Sequence, residues 1–241
     1  MRKTIPLALL LLASMSELAP AAGTNLRWNA CVLDGGVPNR SFACNTNVGS
    51  NVLIGSFVLD TGLEQVDADE LVLDLVSATP TLPQWWQLKN VGSCRQTAIS
   101  IAAQDGPSCP DPFAFQASMN IASYVVGTLG PNTARLLSLN AVPSDLAVDL
   151  IAGEEYTAAR WSINNSKTVG TGACSGCVVP VCILFRSANI TTVGNLNDTK
   201  LTMAADAGSN FVSWQGGDYL YLCYGTPTKT STWSAVKSLY R

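Results

Sequence analysis

Eight cysteines behind a secretion-like N-terminus constrain this chain more than any other feature of its sequence. Arg2 and Lys3 precede an apolar run that ends at Ala13, and small residues follow, so we expect a signal peptide over residues 1–22. The run is shorter than the roughly 20 residues of a membrane span. Export to an oxidising compartment lets cysteines pair. We therefore predict a protein that passes the periplasm and acts outside the cell or on its surface, with no transmembrane segment after cleavage.

The cysteines predict four disulfides, although the sequence leaves their pairing open. Closeness along the chain favours Cys31–Cys44 and Cys94–Cys109, with two further bridges among the last four cysteines. Each bridge would stabilise the fold by about 2–4 kcal/mol, mainly by restricting the unfolded chain. The full set is Cys31, Cys44, Cys94, Cys109, Cys174, Cys177, Cys182 and Cys223.

Cys174 and Cys177 have the spacing of a redox motif. A thioredoxin-like enzyme places such a pair between a strand and a helix, whereas here it leads into an apolar stretch at Val178, which favours structural bridges. There is only one pair of this spacing, and a zinc site of four cysteines uses two. We expect neither a metal nor a cofactor.

The sequence contains no histidine, which removes the commonest general base and zinc ligand. A Ser-His-Asp hydrolase is thereby excluded. Without residues 1–22, which include Arg2, Lys3 and Glu17, the chain has 12 basic and 16 acidic side chains and a net charge of −4. Such a mildly acidic chain lacks the basic patch of a nucleic-acid or anionic-membrane binder.

One short motif resembles a catalytic signature. Asp60-Thr61-Gly62 follows an apolar stretch and resembles the Asp-Thr-Gly signature of aspartic proteases. Such enzymes need two carboxylates that share a proton, and the nearest second copy is Asp206 with Gly208, unless a second chain supplies its own Asp60. Aspartate and glycine after a strand are also common turn residues, and we favour a structural turn over a protease motif.

Two acidic clusters elsewhere are weaker candidates for a functional site. Asp67, Asp69 and Glu70, or Glu154 and Glu155, supply carboxylates for a glycosidase or a calcium site. A solvated acidic turn explains each group more simply.

Regular strand-like segments with turn residues between them predict an all-β fold. We expect a disulfide-stapled antiparallel β-sandwich over residues 23–225, jelly-roll or cohesin-like in outline. The segment 71–76, apolar except for Asp74, is typical of a central strand buried on both faces. One helix is predicted at 131–139, because Pro131 suits a first helical position. The eight predicted strands are 52–59, 71–76, 97–102, 121–126, 156–163, 178–185, 211–215 and 219–224.

The C-terminal residues 226–241 predict a linker and a short amphipathic helix. Trp233, Val236 and Tyr240 recur at spacings of three and four, and Lys237 and Arg241 lie where a helix dipole favours cations. So short a helix needs a surface to dock on. It either packs on its own sandwich or serves as a docking or sorting tail for export or attachment machinery.

Tryptophans supply a candidate for carbohydrate binding. Trp85 and Trp86 are adjacent between polar flanks, and Trp214 lies in a strand-like segment. Exposed aromatic rings can stack on sugar rings, but the same residues suit a plug at one end of the sandwich, which we favour.

Three stretches together resemble uncharacterised secreted proteins of environmental bacteria: 25–29 with 42–47, 170–177, and the ending from Thr232 to Arg241. In those proteins a similar Thr-Trp…Lys…Leu-Tyr-Arg tail ends otherwise different exported chains. The resemblance implies a sorting or attachment role for the tail and assigns no activity to the domain. We therefore predict a secreted, non-enzymatic structural or binding module whose partner is a glycan or protein at the cell surface. A carbohydrate-binding module is the first alternative and an aspartic-type hydrolase the second.

Overall fold

The computed structural model describes residues 22–202 and 209–216, and this part of the chain is almost entirely β-structure. Two one-turn 3-10 helices, Gln84–Trp86 and Ser144–Leu146, interrupt the strands. The twelve strands are β1 (Gly23–Trp28), β2 (Asn39–Arg40), β3 (Ser50–Val58), β4 (Leu63–Ser77), β5 (Ile99–Ala102), β6 (Ser118–Val126), β7 (Thr133–Ala141), β8 (Val148–Leu150), β9 (Glu155–Asn164), β10 (Val181–Thr192), β11 (Asn195–Leu201) and β12 (Phe211–Trp214).

The strands form two sheets that pack face to face as a β-sandwich, which confirms the predicted fold class. Sheet A has the order β1-β3-β9-β5, and sheet B has the order β2-β12-β10-β4-β7-β6, with β11 and β8 added beside β10 and β4. Trp161 of sheet A meets Phe185 of sheet B with ring centroids 6.1 Å apart, and its indole N–H donates to Ser138 Oγ at 3.0 Å. These contacts join the sheets through one continuous core.

A close approach at Gly55 explains why a glycine lies in the middle of β3. A Cβ atom at this position would come within 2.7 Å of the Trp161 ring and 3.0 Å of the Phe185 ring. Such distances are shorter than real Cβ contacts, so only glycine lets the two aromatic rings fill this part of the core.

The predicted central strand at 71–76 is confirmed within β4, which lies between β10 and β7. The one charged residue of segment 71–76, Asp74, is fully buried. Its carboxylate accepts hydrogen bonds from the Nε atoms of Arg135 and Arg186, each at 2.7 Å. The two neighbouring strands thus supply the partners that a buried carboxylate needs.

The predicted helix at 131–139 is wrong, because this segment contains most of β7. Ala134, Leu136, Ser138 and Asn140 are buried while the residues between them are more exposed, which is the period of a strand. Pairing with β4 on one side and β6 on the other overrides the weak local helical signal.

The disulfide framework is confirmed, but the predicted neighbour pairings are wrong. Three bridges span 78 to 133 residues: Cys31–Cys109, Cys44–Cys177 and Cys94–Cys174. The prediction of two bridges among the last four cysteines is also wrong, because Cys174 bonds to Cys94 and Cys177 to Cys44. Cys182 is also disulfide-bonded, whereas Cys223 lies outside the described residues.

Several other sequence predictions lie outside the described residues. They are the signal peptide apart from its last residue, the strand at 219–224, and the tail with Trp233, Val236, Lys237, Tyr240 and Arg241. Within the described ranges, no helix is long and apolar enough to cross a membrane.

Candidate functional site

The tryptophans proposed for sugar stacking are core residues. Trp85, Trp86 and Trp214 each expose 0% of their surface. Their rings pack on one another, with centroids 4.9–5.0 Å apart. The favoured interpretation of Trp85 and Trp86 as a plug is therefore confirmed. The alternative of a sugar-binding platform is wrong, since a sugar ring has no access to a buried indole face.

Two disulfide-anchored loops close over this cluster, which we call the tryptophan end. The Trp214 indole donates to Cys177 O at 2.6 Å, and the Trp85 indole donates to Thr168 Oγ1 at 3.0 Å. Gly176, directly before Cys177, has φ +109°, and a Cβ atom at this position would lie 2.2 Å from the Pro83 Cβ. Cys44–Cys177 and Cys94–Cys174 thus fix loops that the aromatic core needs in place.

Arg95 is buried at the tryptophan end with few partners. Its guanidinium carbon lies 3.6 Å from the Trp85 ring centroid, and its Nη2 donates to Asn164 O. Its Nε and Nη1 are buried and have no hydrogen-bond partner, and the side chain is 2% exposed. Burial lowers the pKa of Arg95 to about 10, while the Tyr124 hydroxyl acts in the opposite direction. Arg95 therefore keeps its charge at neutral pH.

A groove of about 290 Å³ lies beside β6 and is lined by Tyr124, which interacts electrostatically with Arg95. The loop before Arg95 contributes Lys89 and Asn90, and β6 contributes Ser123 and Tyr124. Tyr124 closes the inner side, since its hydroxyl donates to the Trp86 carbonyl. The groove thus presents an ammonium, an amide and the Ser123 hydroxyl beside the apolar Val91, and no carboxylate lines it.

The backbone around this groove is irregular on both sides. Lys89 has φ +57°, a left-handed conformation that non-glycine residues adopt at a cost. On the facing strand, the pairing of β6 with β7 shifts between Ile121 and Ser123, which is a β-bulge. Bulges on edge strands re-aim side chains, and strained residues concentrate at functional sites. The groove combines both features, each of which also occurs elsewhere in the described chain.

A second depression of about 320 Å³ lies over the disulfides of the tryptophan end. Cys44, Cys174 and Cys177 line it together with Ser175 and Val178. Because no charged side chain lines it, it offers less chemistry than the groove beside β6.

The Asp60 motif occupies a turn between β3 and β4. Asp60 is exposed, in keeping with the turn interpretation, and Asp206 lies outside the described residues. The protease hypothesis stays a prediction.

The Cys174-Ser-Gly-Cys177 pair does not form a redox centre. Cys174 is bonded to Cys94 and Cys177 to Cys44, so the two thiols of the motif do not join each other. The structural interpretation of this motif is confirmed.

Glu155 lies within 4.8 Å of the Cys31 and Cys109 sulfurs, a grouping that resembles a metal site. The two sulfurs are joined as a disulfide, however, and the carboxylate accepts hydrogen bonds from Val32 N at 3.2 Å, Leu33 N at 3.0 Å and Ser56 Oγ. The residues therefore do not fit a metal, and Glu155 holds a loop.

Asp69, proposed within an acidic turn, is instead buried between the sheets. It accepts a hydrogen bond from Asn140 Nδ2 at 2.7 Å, and the same amide donates to Ala158 O across the sandwich. Burial raises the pKa of Asp69 well above its ordinary value, the Asn140 bond opposes this rise, and the Asp111 carboxylate adds to it. Because this carboxyl group is internal, it is not part of a solvated calcium loop.

The residues that line the groove beside β6, and the buried arginine that follows Cys94, carry no signal in the sequence. Lys89, Asn90, Ser123 and Tyr124 belong to no motif, and Arg95 gives no sequence signal of burial. Phe115 is an aromatic residue that the fold leaves 62% exposed, at φ +64°. The adjacent Trp85 and Trp86 gave the one indication of the groove in the sequence. Two tryptophans that close the end of a sandwich are followed by a surface loop, and this loop carries Lys89.

No protein-family model matches the chain, and no curated protein or solved structure matches it.

Proposed function

We propose that this chain is a secreted, non-enzymatic binding module of the cell surface or the extracellular space. The groove beside β6 carries the proposal. Lys89, Asn90 and Ser123 give it several kinds of polar contact, which suits a polar ligand. Catalysis would need an acid and a base, or an activated nucleophile, facing the same ligand, and the residues that line the groove do not include such a pair.

The scaffold supports a role outside the cytoplasm. Disulfides persist in oxidising compartments, and three of them link segments far apart in the described chain. Two buried carboxylates, Asp69 and Glu155, are occupied by internal hydrogen bonds. The internal polar groups thus serve stability, and the groove is left for recognition.

A carbohydrate is the ligand class that this groove favours, although through residues other than the tryptophans. Sugars are bound by amides and hydroxyls that match their hydroxyl groups, and Asn90 and Ser123 supply one of each. The groove volume lies near the lower limit of the ~300–1,000 Å³ typical of small-molecule sites, which fits one or two sugar units.

A glycan array followed by titration calorimetry tests the proposal. We expect saturable binding to at least one glycan and no release of products during prolonged incubation. Ser123→Ala should weaken binding by about two- to fivefold, as for loss of one hydrogen bond. The matched control is Ser100→Ala, which changes an exposed serine on β5 of sheet A. Turnover of a bound glycan, or no binding to any glycan, would overturn the proposal.

A further inference from the structure

The groove beside β6 is cationic in a chain that is acidic overall. The net charge of the sequence is −3, yet the one charged side chain that lines the groove is Lys89. Lys89 is exposed and forms no ion pair within the described part of the chain. The charge in the groove is therefore opposite in sign to the net charge of the chain, and a local positive charge attracts anionic ligands.

Arg95 adds a second positive charge close to the same groove. It follows Lys89 by six residues in one loop, and it interacts electrostatically with Tyr124, which lines the groove. In the described ranges no carboxylate forms an ion pair with it, and both ion pairs found there belong to Asp74. A buried charge is screened less than an exposed one, so its field reaches the groove more strongly.

The unmatched guanidinium is the unusual part of this arrangement. Buried arginines are normally paired with a carboxylate or fully hydrogen-bonded. Here the contact with the Trp85 ring and one carbonyl acceptor leave Nε and Nη1 without partners. A negative charge held in the adjacent groove would compensate for this deficit without requiring a further acidic residue in the chain.

We propose that the groove binds an acidic saccharide through a uronate carboxylate. The Lys89 ammonium contacts the carboxylate, Asn90 and Ser123 hydrogen-bond sugar hydroxyls, and Arg95 supplies charge from below without touching the ligand. The proposal rests on the proposed binding function and specifies its ligand class. A sugar is favoured over a bare inorganic anion because the lining pairs one ammonium with neutral amide and hydroxyl groups.

The experiment compares two ligands of equal length, one with free carboxylates and one in which methyl esters neutralise them. Titration calorimetry on the full mature chain would use an oligogalacturonate and its methyl ester of equal length. We expect the acid to bind at least tenfold more tightly than the ester, and its affinity to fall with added salt. Inorganic phosphate at equal ionic strength should not compete beyond that salt effect.

Three variants separate a specific site from general charge. Lys89→Gln should weaken binding of the acid about five- to tenfold, as for loss of one direct ion pair. Arg95→Met, which keeps the apolar stem, should weaken it about threefold and leave binding of the ester unchanged. The control Arg160→Gln removes a charge from β9 in sheet A and should stay within twofold of the wild type.

Equal affinity for the acid and the ester would overturn this inference and leave the proposed binding function standing. An effect of Arg160→Gln as large as that of Lys89→Gln would overturn it too, because binding would then follow net charge. Absence of binding to both ligands and to every glycan on the array would remove both proposals. Because Lys89 is exposed, its variant tests the idea even if Arg95→Met does not fold.

Discussion

A charged side chain is buried next to a disulfide at each end of β9, and the two side chains differ in how many hydrogen-bond partners they have. At the first end, Glu155 lies beside Cys31–Cys109 and accepts hydrogen bonds from two backbone N–H groups and a serine. At the other end, Arg95 follows Cys94, and its guanidinium reaches one carbonyl, that of Asn164. Both side chains are almost fully buried, at 1% and 2% exposure.

This comparison separates a structural charge from a charge that the fold leaves unmatched. Surrounding donors stabilise Glu155 in place, so its chemistry is complete within the chain. Arg95 has donors without acceptors, and its loop borders the groove beside β6. The region around Glu155, where the chain supplies every hydrogen-bond partner, is a scaffold. The region around Arg95, where guanidinium donors lack acceptors, is the better candidate for binding.

The largest effect should come from the disulfides, which offer a matched pair. Cys31–Cys109 and Cys94–Cys174 span 78 and 80 residues, so chain entropy predicts nearly equal contributions of about 4–5 kcal/mol. Cys31→Ala/Cys109→Ala should cost more than Cys94→Ala/Cys174→Ala, since both sulfurs of the first pair are buried, at 2% and 0%, while Cys94 is partly exposed. Urea denaturation of the oxidised proteins measures both. Costs under about 1 kcal/mol would contradict a stabilising role.

A smaller effect distinguishes the two buried charges directly. Glu155→Gln should lower the free energy of unfolding by about 2–3 kcal/mol, because charge-assisted bonds to the Val32 and Leu33 amides are lost. Arg95→Met should change it by less than about 1 kcal/mol, since the lost ring contact and hydrogen bond are offset by removal of an unpaired charge. Denaturant titration of both variants provides the measurement. A larger cost for Arg95→Met than for Glu155→Gln would reverse our assignment of the two regions.

The smallest effect depends on pH and concerns Asp69. Its raised pKa means that the folded state binds a proton more tightly than the unfolded state, whose aspartate titrates near pH ~4. The stabilisation is therefore complete below the unfolded pKa and is lost as the pH rises through the folded pKa. Asp69→Asn should match the wild type in acid and become relatively more stable toward neutral pH. Thermal unfolding measured from below the unfolded pKa up to neutral pH checks this, and parallel curves would contradict it.

The sequence predicted the strands better than their partners. Segments 52–59 and 156–163 were recognised because their composition and turns are local signals, and they match β3 and β9 within a few residues. The segment 131–139 was misassigned, since strand pairing with β4 and β6 is a non-local force that outweighs a proline at a suitable position. Short strands such as β2 and β8 carry too few residues to show a pattern.

The candidate site was almost invisible before folding. Trp85 and Trp86 drew attention for their chemistry, but their burial depends on loops from distant parts of the chain, including the one that carries Ser175. Lys89 and Ser123 lie 34 positions apart and meet because β6 is an edge strand that the loop after the tryptophans borders. No local pattern encodes such a meeting.

The sequence by itself determined the class of this protein: an all-β domain stapled by disulfides, without the histidine on which much enzyme chemistry depends. These properties follow from composition and short-range pattern. Tertiary structure alone decided the pairing of Cys31, Cys44 and Cys94, the burial of the tryptophans and the solitary position of Arg95. The reason is physical, since disulfide geometry, burial and charge compensation each depend on distances between residues that only the packed sandwich sets.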